Sequence, residues 1–518
     1  MLEILILLFV LTILYSIFIH YKYWKKKGVR QGFVIPLIGD IFYTLIKGHP
    51  VYITLQILYN KFSDVRYCGL YQYTSPVLLI RDPQLIHQIG IKHSDHFVDR
   101  RMLSVEEENP LWNRNLNHLK GQEWKDMRAI LSPTFTGSKL RKMFVLLNLC
   151  ATNMVDFLKK NPEEFVEIEL KDMFTRYGSD ITASVFFGIQ SDSLTDPEDE
   201  FFMKGKKITQ FSGKRYLKYM ASITNALLAK VVNYSIYDEE VSAYFMKIIK
   251  DLIEYREKNN IDRPDMISLL IQGKRRNKTE GEFAELKETE LSDHHENINL
   301  SLEDITSHAL LFYLAGIDTI PTILSFMAYE LAINPDIQRK LFEELNEHRL
   351  QNDNVSYDEL SKFSYLDMVT SETLRKWPPT HITDRICTKP YTIEPKYSDE
   401  IPVKLEIGDI VWLPIWPIHR DHKYWENPEK FDPERFSLEN KKKITPYSYI
   451  PFGVGPRNCI AFRFAIMEIK IAFYHIITNF EIVPTNRSSI PFKSKKRINS
   501  LTSHTGFWFG FKKRNGIQ

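Results

Sequence analysis

The segment that most restricts the fold of this chain lies near its C-terminus, where a loop rich in glycine and proline leads into a long apolar helix. Residues 451–461 read PFGVGPRNCIA, and helical periodicity follows over residues 460–477. Gly453 and Gly455 allow the tight turns that residues with a Cβ resist. Cys459 therefore falls at or just before a helix N-terminus, where free backbone N–H groups and the helix dipole stabilise a thiolate.

The cysteine of this loop has two interpretations, a buried structural residue or a thiolate that ligates a metal. The loop favours the ligand, because its glycines let the backbone approach a flat molecule closely, and Arg457 is suited to pairing with a carboxylate. A thiolate ligand would donate electron density to iron and favour O–O cleavage. Cys68, Cys150 and Cys387 show no CxxC spacing, so neither a disulfide framework nor a zinc site is predicted.

Composition limits the remaining possibilities. The chain has 518 residues, of which 44% are hydrophobic, and its formal net charge of +3 predicts no bulk attraction to nucleic acid. Helical periodicity dominates, and β patterns cluster only at residues 65–80 and 388–413. We expect a mainly α fold with small peripheral β-sheets. The polar residues 272–299 are either a solvated connector or a partner site.

The N-terminus carries a membrane signal. Residues 4–19 are free of charge, and Tyr21, Tyr23 and Trp24 follow them at the place of a headgroup belt. The lysines come afterwards, at positions 22 and 25–27, which predicts a cytoplasmic position for the rest of the chain. A cleaved secretory signal is the alternative, but the basic flank and small-residue site typical of one are missing. The predicted organisation is an anchor helix at 1–21, a basic linker at 22–35 and a globular domain at 36–518.

The C-terminal loop resembles the heme-binding signature of the cytochrome P450 family, Phe-x-x-Gly-x-Arg-x-Cys-x-Gly/Ala. This chain matches it with Phe452, Gly455, Arg457, Cys459 and Ala461. The resemblance implies the cytochrome P450 fold and heme b (iron protoporphyrin IX), with Cys459 as the ligand of the iron. The alanine at the last position is the less common variant.

Other segments resemble further signatures of the same family, in the same order. Glu372 and Arg375 form Glu-x-x-Arg on a predicted helix and can pair at i and i+3. Arg435 would complete the family's structural triad. Trp124 and Arg128 form Trp-x-x-x-Arg on one helix face, a pair that contacts a heme propionate in the family. By the same resemblance, the remaining cofactor-binding residues are Arg385, Arg457, Arg100, Phe452, Gly453, Ala315 and Ala461.

The centre of a long apolar helix, predicted over residues 302–333 behind a capping box at Ser301, resembles the family's oxygen-binding segment. The resemblance makes Asp318 and Thr319 the catalytic residues, Asp318 as a proton relay and Thr319 as a hydrogen-bonding group. In the alternative interpretation, Thr319 only bonds to the helix carbonyls. Pro321 cannot donate to the carbonyl of Ile317, and we expect it to bend the helix and open a groove there.

The resemblance implies a monooxygenase that inserts one oxygen atom of O2 into a lipophilic substrate. No flavin or dinucleotide fingerprint occurs, so electrons would come from NADPH–cytochrome P450 reductase, with cytochrome b5 as a further partner. Residues 128–141 and 263–266 resemble the insect microsomal detoxification branch, which implies the endoplasmic reticulum membrane. The expected reductase-docking residues are Lys120, Lys125, Lys139, Arg141 and Lys142. The expected substrate-pocket segments are 110–119, 201–237, 305–314 and 379–383.

Two rival functions remain open at this point. A heme-thiolate isomerase or lyase would need no reductase, but such relatives tend to lose the acid–threonine pair that Asp318 and Thr319 supply here. A non-catalytic heme- or lipid-binding membrane protein would not require proton-delivery residues. Both rivals are therefore disfavoured by the same two residues.

Overall fold

Helices dominate the fold, as the periodicity predicts. A computed structural model of the chain describes residues 21–36, 38–101, 110–209, 218, 237–261, 263, 266–268, 270, 300–351, 355–496 and 501–514. The longer helices are α1 Val51–Lys61, α2 Gly121–Leu131, α3 Gly137–Lys159, α4 Leu170–Thr182, α5 Glu200–Thr209, α6 Glu239–Lys258, α7 Leu302–Ile333, α8 Pro335–Gln351, α9 Ser364–Lys376 and α10 Phe462–Asn479. Short helices occupy Tyr23–Lys26, Phe42–Leu45, Pro83–His87, Pro110–Asn113, Tyr357–Leu360 and Ile415–Ile418.

Small sheets flank the helices. The strands are β1 Tyr67–Gln72, β2 Ser75–Ile80, β3 Phe165–Glu169, β4 Thr383–Ile386, β5 Tyr391–Ile393, β6 Val403–Leu405, β7 Ile410–Leu413, β8 Phe480–Pro484 and β9 Trp508–Lys513. Their orders are β1-β2-β7-β4, β3-β9-β8 and β5-β6. In the first sheet β2 runs parallel to β7, with Val77 opposite Ile410, and the other pairs are antiparallel. Both predicted β clusters are confirmed.

Helix α7 is the centre of the main core. Its N-terminus has the predicted capping box, in which Ser301 Oγ accepts from Asp304 N–H at 3.1 Å and Asp304 accepts from Ser301 N–H at 2.9 Å. The helix continues without interruption through Pro321, which is buried beside Gly178 of α4. The bend and groove expected at Pro321 remain a prediction.

Helices α4 and α7 approach each other very closely at two glycines. A Cβ at Gly178 would lie 2.8 Å from the carbonyl oxygen of Gly316, and a Cβ at Gly316 would lie 2.5 Å from Thr182 Oγ1. Only a residue without a side chain fits such a contact. The crossing brings Lys171, at the start of α4, next to Asp318.

Helix α7 also has the length and hydropathy of a membrane span, the one such helix among the residues that the structure describes. Two-thirds of its most apolar window, 67%, is buried inside the protein. A helix that is apolar all round and buried in this way is a core helix. The predicted anchor at residues 4–19 and the polar residues 272–299 lie outside the described ranges.

The predicted triad is present, with Glu372 and Arg375 fully buried and Arg435 partly buried. Arg375 donates to both carboxylate oxygens of Glu372 at 2.7 and 2.8 Å, and Arg435 Nε lies 3.5 Å from Glu372 Oε1. Arg375 also donates to the carbonyls of His419 and Pro428. A buried ion pair persists only when further hydrogen bonds compensate its desolvation, as these do. The network joins α9 to the segment that precedes the Cys459 loop.

The N-terminal aromatic residues do not occupy a headgroup belt. Trp24 is fully buried against Gly69 of β1, and Tyr21 is only 7% exposed. Tyr23 Oη donates to Asp409 at 2.6 Å, and Lys27 Nζ donates to the same carboxylate at 2.8 Å. The expectation for these aromatics was therefore wrong. Their segment is packed onto the first sheet, because the indole and phenol rings bury more apolar surface in that position than they would in a solvated linker.

A carboxyl group is buried where α3, α4 and α10 meet. Glu468 of α10 is 2% exposed, and its Oε1 has no hydrogen-bond partner among the described residues. Tyr177 of α4 is fully buried nearby, and its hydroxyl also has no hydrogen-bond partner among the described residues. Burial raises the pKa of Glu468 to about 8, so the folded protein carries this side chain as a neutral acid at neutral pH.

We predict that Glu468→Gln flattens the pH dependence of stability. In the unfolded chain the pKa of this group is near 4.5, against about 8 in the folded state. The stabilising contribution of the protonated group is thus complete below pH 4.5 and is lost as the pH rises toward 8, a change of a few kcal/mol. Urea unfolding midpoints measured across this range should fall with pH in the parent and less in the variant. Glu343→Gln, at an exposed position, is the control. Parallel curves for parent and Glu468→Gln would contradict the prediction.

Candidate active site

A cavity of about 470 Å³ lies between the middle of α7 and the loop that precedes α10. It brings together ten of the twelve predicted site residues. These are Arg100, Trp124, Arg128, Ala315, Thr319, Phe452, Gly453, Arg457, Cys459 and Ala461. Asp318 and Arg385 do not line it. Residues separated by more than 300 positions in the chain therefore face one space.

The Cys459 loop has the backbone that its glycines predict. Gly453 and Gly455 have φ values of +75° and +68°. The close approach at Gly455 is to the protein itself rather than to a ligand, since a Cβ there would overlap the carbonyl oxygen of Gly90. The N–H of Cys459 donates to the carbonyl of Phe452 at 2.9 Å and closes the loop. Helix α10 begins three residues after the cysteine, which confirms the predicted position before a helix N-terminus.

The surroundings of Cys459 act on its thiol in opposite directions. Burial raises the pKa of Cys459, whereas the N–H of Ala461 and the guanidinium groups of Arg128 and Arg100 lower it. Burial has the larger effect, so the thiol without a bound metal is less acidic than its position at a helix N-terminus alone predicts. The groups that oppose burial favour the thiolate, which is the form that binds a metal.

The predicted arginines hold the loop by donating to its backbone. Arg128 donates to the carbonyl of Asn458 at 3.0 Å and to Asn458 Oδ1 at 2.9 Å. Arg100 donates to the carbonyl of Arg457 at 2.8 Å. Arg385 is almost fully buried and donates to the carbonyl of Val454 at 2.9 Å, which places it behind the loop.

Arg457 lies in a ring of carbonyl oxygens. It donates to those of Val98, Leu116 and Leu119 at 2.7, 3.3 and 2.7 Å. Its guanidinium lies 3.9 Å from the centre of the Trp124 ring. The Asp99 carboxylate lies 3.7 Å from Arg457, and the pairing of Arg457 with a cofactor carboxylate stays a prediction. Burial lowers the pKa of Arg457 to about 9.

The opposite wall of the cavity belongs to α7. Ala315 and Thr319 are one helical turn apart, and both line the cavity. Thr319 Oγ1 donates to the carbonyl of Ala315 at 2.6 Å. The alternative interpretation predicted this hydrogen bond between the threonine hydroxyl and a helix carbonyl. The bond leaves the lone pairs of the hydroxyl free to accept a hydrogen bond from the cavity side.

Asp318 is turned away from the cavity. Its carboxylate lies 3.5 Å from Lys171 Nζ and is half exposed, at 51%. The same ammonium donates to the carbonyl of Asp318 at 2.8 Å and to Thr322 Oγ1 at 2.6 Å. Burial lowers the pKa of Lys171, and the Asp318 carboxylate opposes that shift. The structure thus separates the predicted acid from the threonine beside it in sequence.

Sequence reasoning missed part of the apolar lining. The motifs did not select Ile320, Ile323, Leu374, Ile415, Ile460 and Ala465, all of which face the cavity. Ile323 follows from spacing, because residues 315, 319 and 323 form one stripe at intervals of four. Leu374 and Ile415 carried no local signal, since their contribution depends on how α9 and the first sheet pack.

The residues present fit a flat, anionic cofactor with a metal at its centre. Cys459 supplies a soft ligand on one side, the Ala315–Thr319 stripe leaves open space on the other, and buried guanidinium groups at one edge match carboxylates. Arg100 Nε is buried without a hydrogen-bond partner among the described residues, as expected where an anion is to be held. The apolar remainder of the lining suits a porphyrin ring.

Comparisons with known proteins agree with this geometry. The family model described as Cytochrome P450 matches residues 32–507. The chain is 38% identical to "Cytochrome P450 9e2" of Blattella germanica, over 96% of this chain and 94% of that relative. It is 36% identical to "Probable cytochrome P450 9f2" of Drosophila melanogaster, over 95% of each. It is 35% identical to "Cytochrome P450 6k1" of Blattella germanica, over 96% of this chain and 94% of that relative.

The family model covers most of the chain, and the relatives align with the chain over nearly their full length. The geometry adds a cysteine and buried arginines around one cavity. This chain belongs to the cytochrome P450 family, and it is a monooxygenase enzyme whose cofactor is heme.

Proposed function

We propose that this protein inserts one oxygen atom of O2 into lipophilic substrates, with its heme iron bound to Cys459 Sγ and its electrons supplied by NADPH through a reductase. The observation that carries the proposal is the cavity in which Cys459, the arginines and the Thr319 stripe meet. Retention of Asp318 and Thr319 favours a monooxygenase over an isomerase, a lyase or a binding protein. Purified protein with reductase and NADPH should form product labelled from isotopic dioxygen, and consumption of NADPH without labelled product would refute the proposal.

Heme, when bound, supplies the oxygen-activating chemistry, and the chain supplies the binding site. Arg100, Arg128 and Trp124 would bind and orient the carboxylates of the cofactor. The Ala461 N–H and the guanidinium groups of Arg128 and Arg100 favour the thiolate form of Cys459 and partly offset the effect of burial, which leaves the pKa of the thiol raised. The isoleucines and Phe312 exclude bulk water from the cavity, which strengthens each of these electrostatic contacts.

Proton delivery uses the two neighbouring polar residues of α7 in different ways. Thr319 Oγ1 positions a hydrogen-bonded group inside the cavity. Asp318 lies toward solvent and takes up protons there, and Lys171 holds its carboxylate in that outward position until the side chain turns inward. Lys171 is therefore a positioning residue for the acid.

The apolar lining defines the substrate class. Leu311, Phe312, Ile323 and Ile382 offer hydrocarbon surface, while the polar groups cluster around the expected cofactor. The relatives named above are insect proteins, which fits the resemblance to the detoxification branch. We propose foreign lipophilic compounds or endogenous lipids and hormones as substrates, and the endoplasmic reticulum membrane as the location, with the charge-free residues 4–19 as the anchor and the domain facing the cytoplasm.

The face beside the Cys459 loop suits a redox partner such as the reductase or cytochrome b5. A groove of about 590 Å³ lies there, lined by Lys125, Arg128, Pro456 and Asn458. Lys120, Arg141 and Lys142 are exposed on the same two helices, α2 and α3, or next to them. Lysines and arginines that flank the path to the cysteine steer an acidic partner toward it.

We predict that Cys459→Ser abolishes the red-shifted carbon monoxide spectrum of the dithionite-reduced protein, because a hydroxyl does not replace a thiolate as a donor to iron. Cys150→Ser, at a half-buried cysteine of α3, is the matched control and should keep the spectrum. Retention of the red-shifted band in Cys459→Ser would show that another residue is the ligand.

We predict that Asp318→Asn lowers the rate of product formation by about 10²-fold, the size typical of a lost general acid. The carbon monoxide spectrum and substrate affinity should not change, because Asp318 does not line the cavity. Product formation would be measured with saturating reductase, with Asp336→Asn on the exposed face of α8 as control. Equal rates in the parent and Asp318→Asn would remove Asp318 from the mechanism.

We predict that Lys125→Glu combined with Lys142→Glu slows reductase-supported turnover severalfold and spares peroxide-supported turnover, since only the first needs docking. Lys250→Glu reverses an exposed charge on α6, a helix that contributes no residue to this groove, and should have no effect. An equal loss in both assays would argue against docking here.

A further inference from the structure

One serine hydroxyl lies between two carboxyl groups where the chain passes from α4 to α5. Ser191 Oγ lies 3.0 Å from Asp180 Oδ1 and also 3.0 Å from Asp199 Oδ2. A hydroxyl has a single proton to donate and otherwise only accepts. Its contact with the second carboxyl group is therefore a hydrogen bond only when one of the two acids is protonated. The geometry thus requires one proton shared by the pair.

The two acids belong to different helices. Asp180 lies near the end of α4 and is 7% exposed, and its Oδ1 also accepts the N–H of Ser193 at 3.0 Å. Asp199 directly precedes α5, and its Oδ1 accepts the N–H of Phe202 at 2.8 Å, which is the capping bond of that helix. The hydroxyl of Ser191 therefore joins the end of one helix to the cap of the next.

The start of α5 packs against the central helix α7. Tyr313 Oη donates to the carbonyl of Phe201 at 3.2 Å, and the two rings meet edge to face with their centres 4.9 Å apart. A Cβ at Gly205 would overlap the Tyr313 side chain, so the two helices are in close contact there. Phe312, next to Tyr313 in the chain, lines the cavity. The cap of α5 therefore holds a helix that is packed on the cavity wall.

The other titratable groups that face the pair keep one charge state near neutral pH. Burial raises the pKa of Cys150 on α3 and of Tyr244 on α6 to about 12, and it raises the pKa of Tyr313 on α7 as well, so all three are neutral. Arg176 of α4 pairs with Asp172 at 2.9 Å. The remaining acids of the connection are exposed to solvent, namely Asp192, Asp196, Glu198 and Glu200.

The electrostatics of the pair favour the shared proton. Burial raises the pKa of Asp180 to about 6, the hydrogen bonds from Ser193 and Ser191 oppose the rise, and the charge of Asp199 adds to it. The ordinary value is 3.8. The stabilising contribution of the protonated pair is therefore complete below pH 3.8 and is lost as the pH rises through about 6.

We propose that Asp180, Ser191 and Asp199 form a proton-dependent latch between α4 and α5. The latch is closed when the two acids share one proton through the serine hydroxyl, and it loosens when both carboxyl groups are ionised. The start of α5 then separates from α7 more often as the pH rises. The latch depends on helix packing alone, so it holds or fails independently of the proposed function.

The test is amide hydrogen exchange of the heme-loaded enzyme between pH 5 and 8, read by mass spectrometry and expressed as protection relative to the intrinsic exchange rate at each pH. Protection of residues 189–205 should fall about tenfold over this range. This is the change in the opening equilibrium that follows from a pKa of about 6 in the closed state and 3.8 in the open state. Peptides from α8 should show no such fall and report any global unfolding.

Asp199→Asn supplies the missing donor at every pH. Its amide N–H can donate to Ser191 Oγ while its carbonyl oxygen still caps α5. Protection of residues 189–205 in this variant should be as high at pH 8 as in the parent at pH 5. Asp192→Asn, at an exposed acid of the same connection, is the matched control and should keep the tenfold fall of the parent.

Protection that does not depend on pH in the parent would overturn the inference, and so would a tenfold fall that persists in Asp199→Asn. If Asp199→Asn unfolds, peptides from α8 lose protection as well, and Ser191→Ala then decides. This second variant removes the bridging hydroxyl, so its protection at pH 5 should drop to the value of the parent at pH 8. Protection equal to that of the parent at pH 5 would show that the hydroxyl joins nothing.

Discussion

The position of the Cys459 loop depends on buried arginines that donate to backbone carbonyls. Arg385, Arg100 and Arg128 reach three successive parts of the loop, at Val454, Arg457 and Asn458. Each comes from a different segment of the chain, and their charges are largely removed from water. Guanidinium groups tolerate this because planar, multiply donating cations match carbonyl oxygens without titrating easily. Of these three, Arg100 and Arg128 also line the cavity, whereas Arg385 does not.

Helix α7 has a separate task on each of its faces. One stripe, from Phe312 through Ala315 and Thr319 to Ile323, forms the cavity wall. A second face meets α4 at Gly178 and Gly316, where the backbones nearly touch. That contact places Lys171 beside Asp318, at the border between the core and solvent. The Asp318 carboxylate therefore lies on a different side of the helix from the cavity wall.

Much of the fold and most of the site could be predicted from the sequence. The loop at residues 451–461, the capped helix at 302–333 and the Glu372–Arg375 pair depend on spacing within one segment, and local spacing is what a sequence displays. The aromatic residues 21–24 were misread for the same reason. A Tyr-x-Tyr-Trp cluster next to lysines has the same sequence pattern whether it lies at a membrane surface or packs on a sheet. Only the contacts with β1 and Asp409 distinguish the two positions.

By itself, the sequence determined the cysteine at a helix start, the long apolar helix over residues 302–333 and the presence of an acid beside a threonine, because helical periodicity and turn chemistry are local properties. The tertiary structure alone decided which way those groups point. It turned Asp318 toward Lys171, placed Arg385 behind the loop and brought Asp180 and Asp199 to the same serine hydroxyl. Such outcomes depend on contacts between segments far apart in the chain, and no local pattern encodes the distance between them.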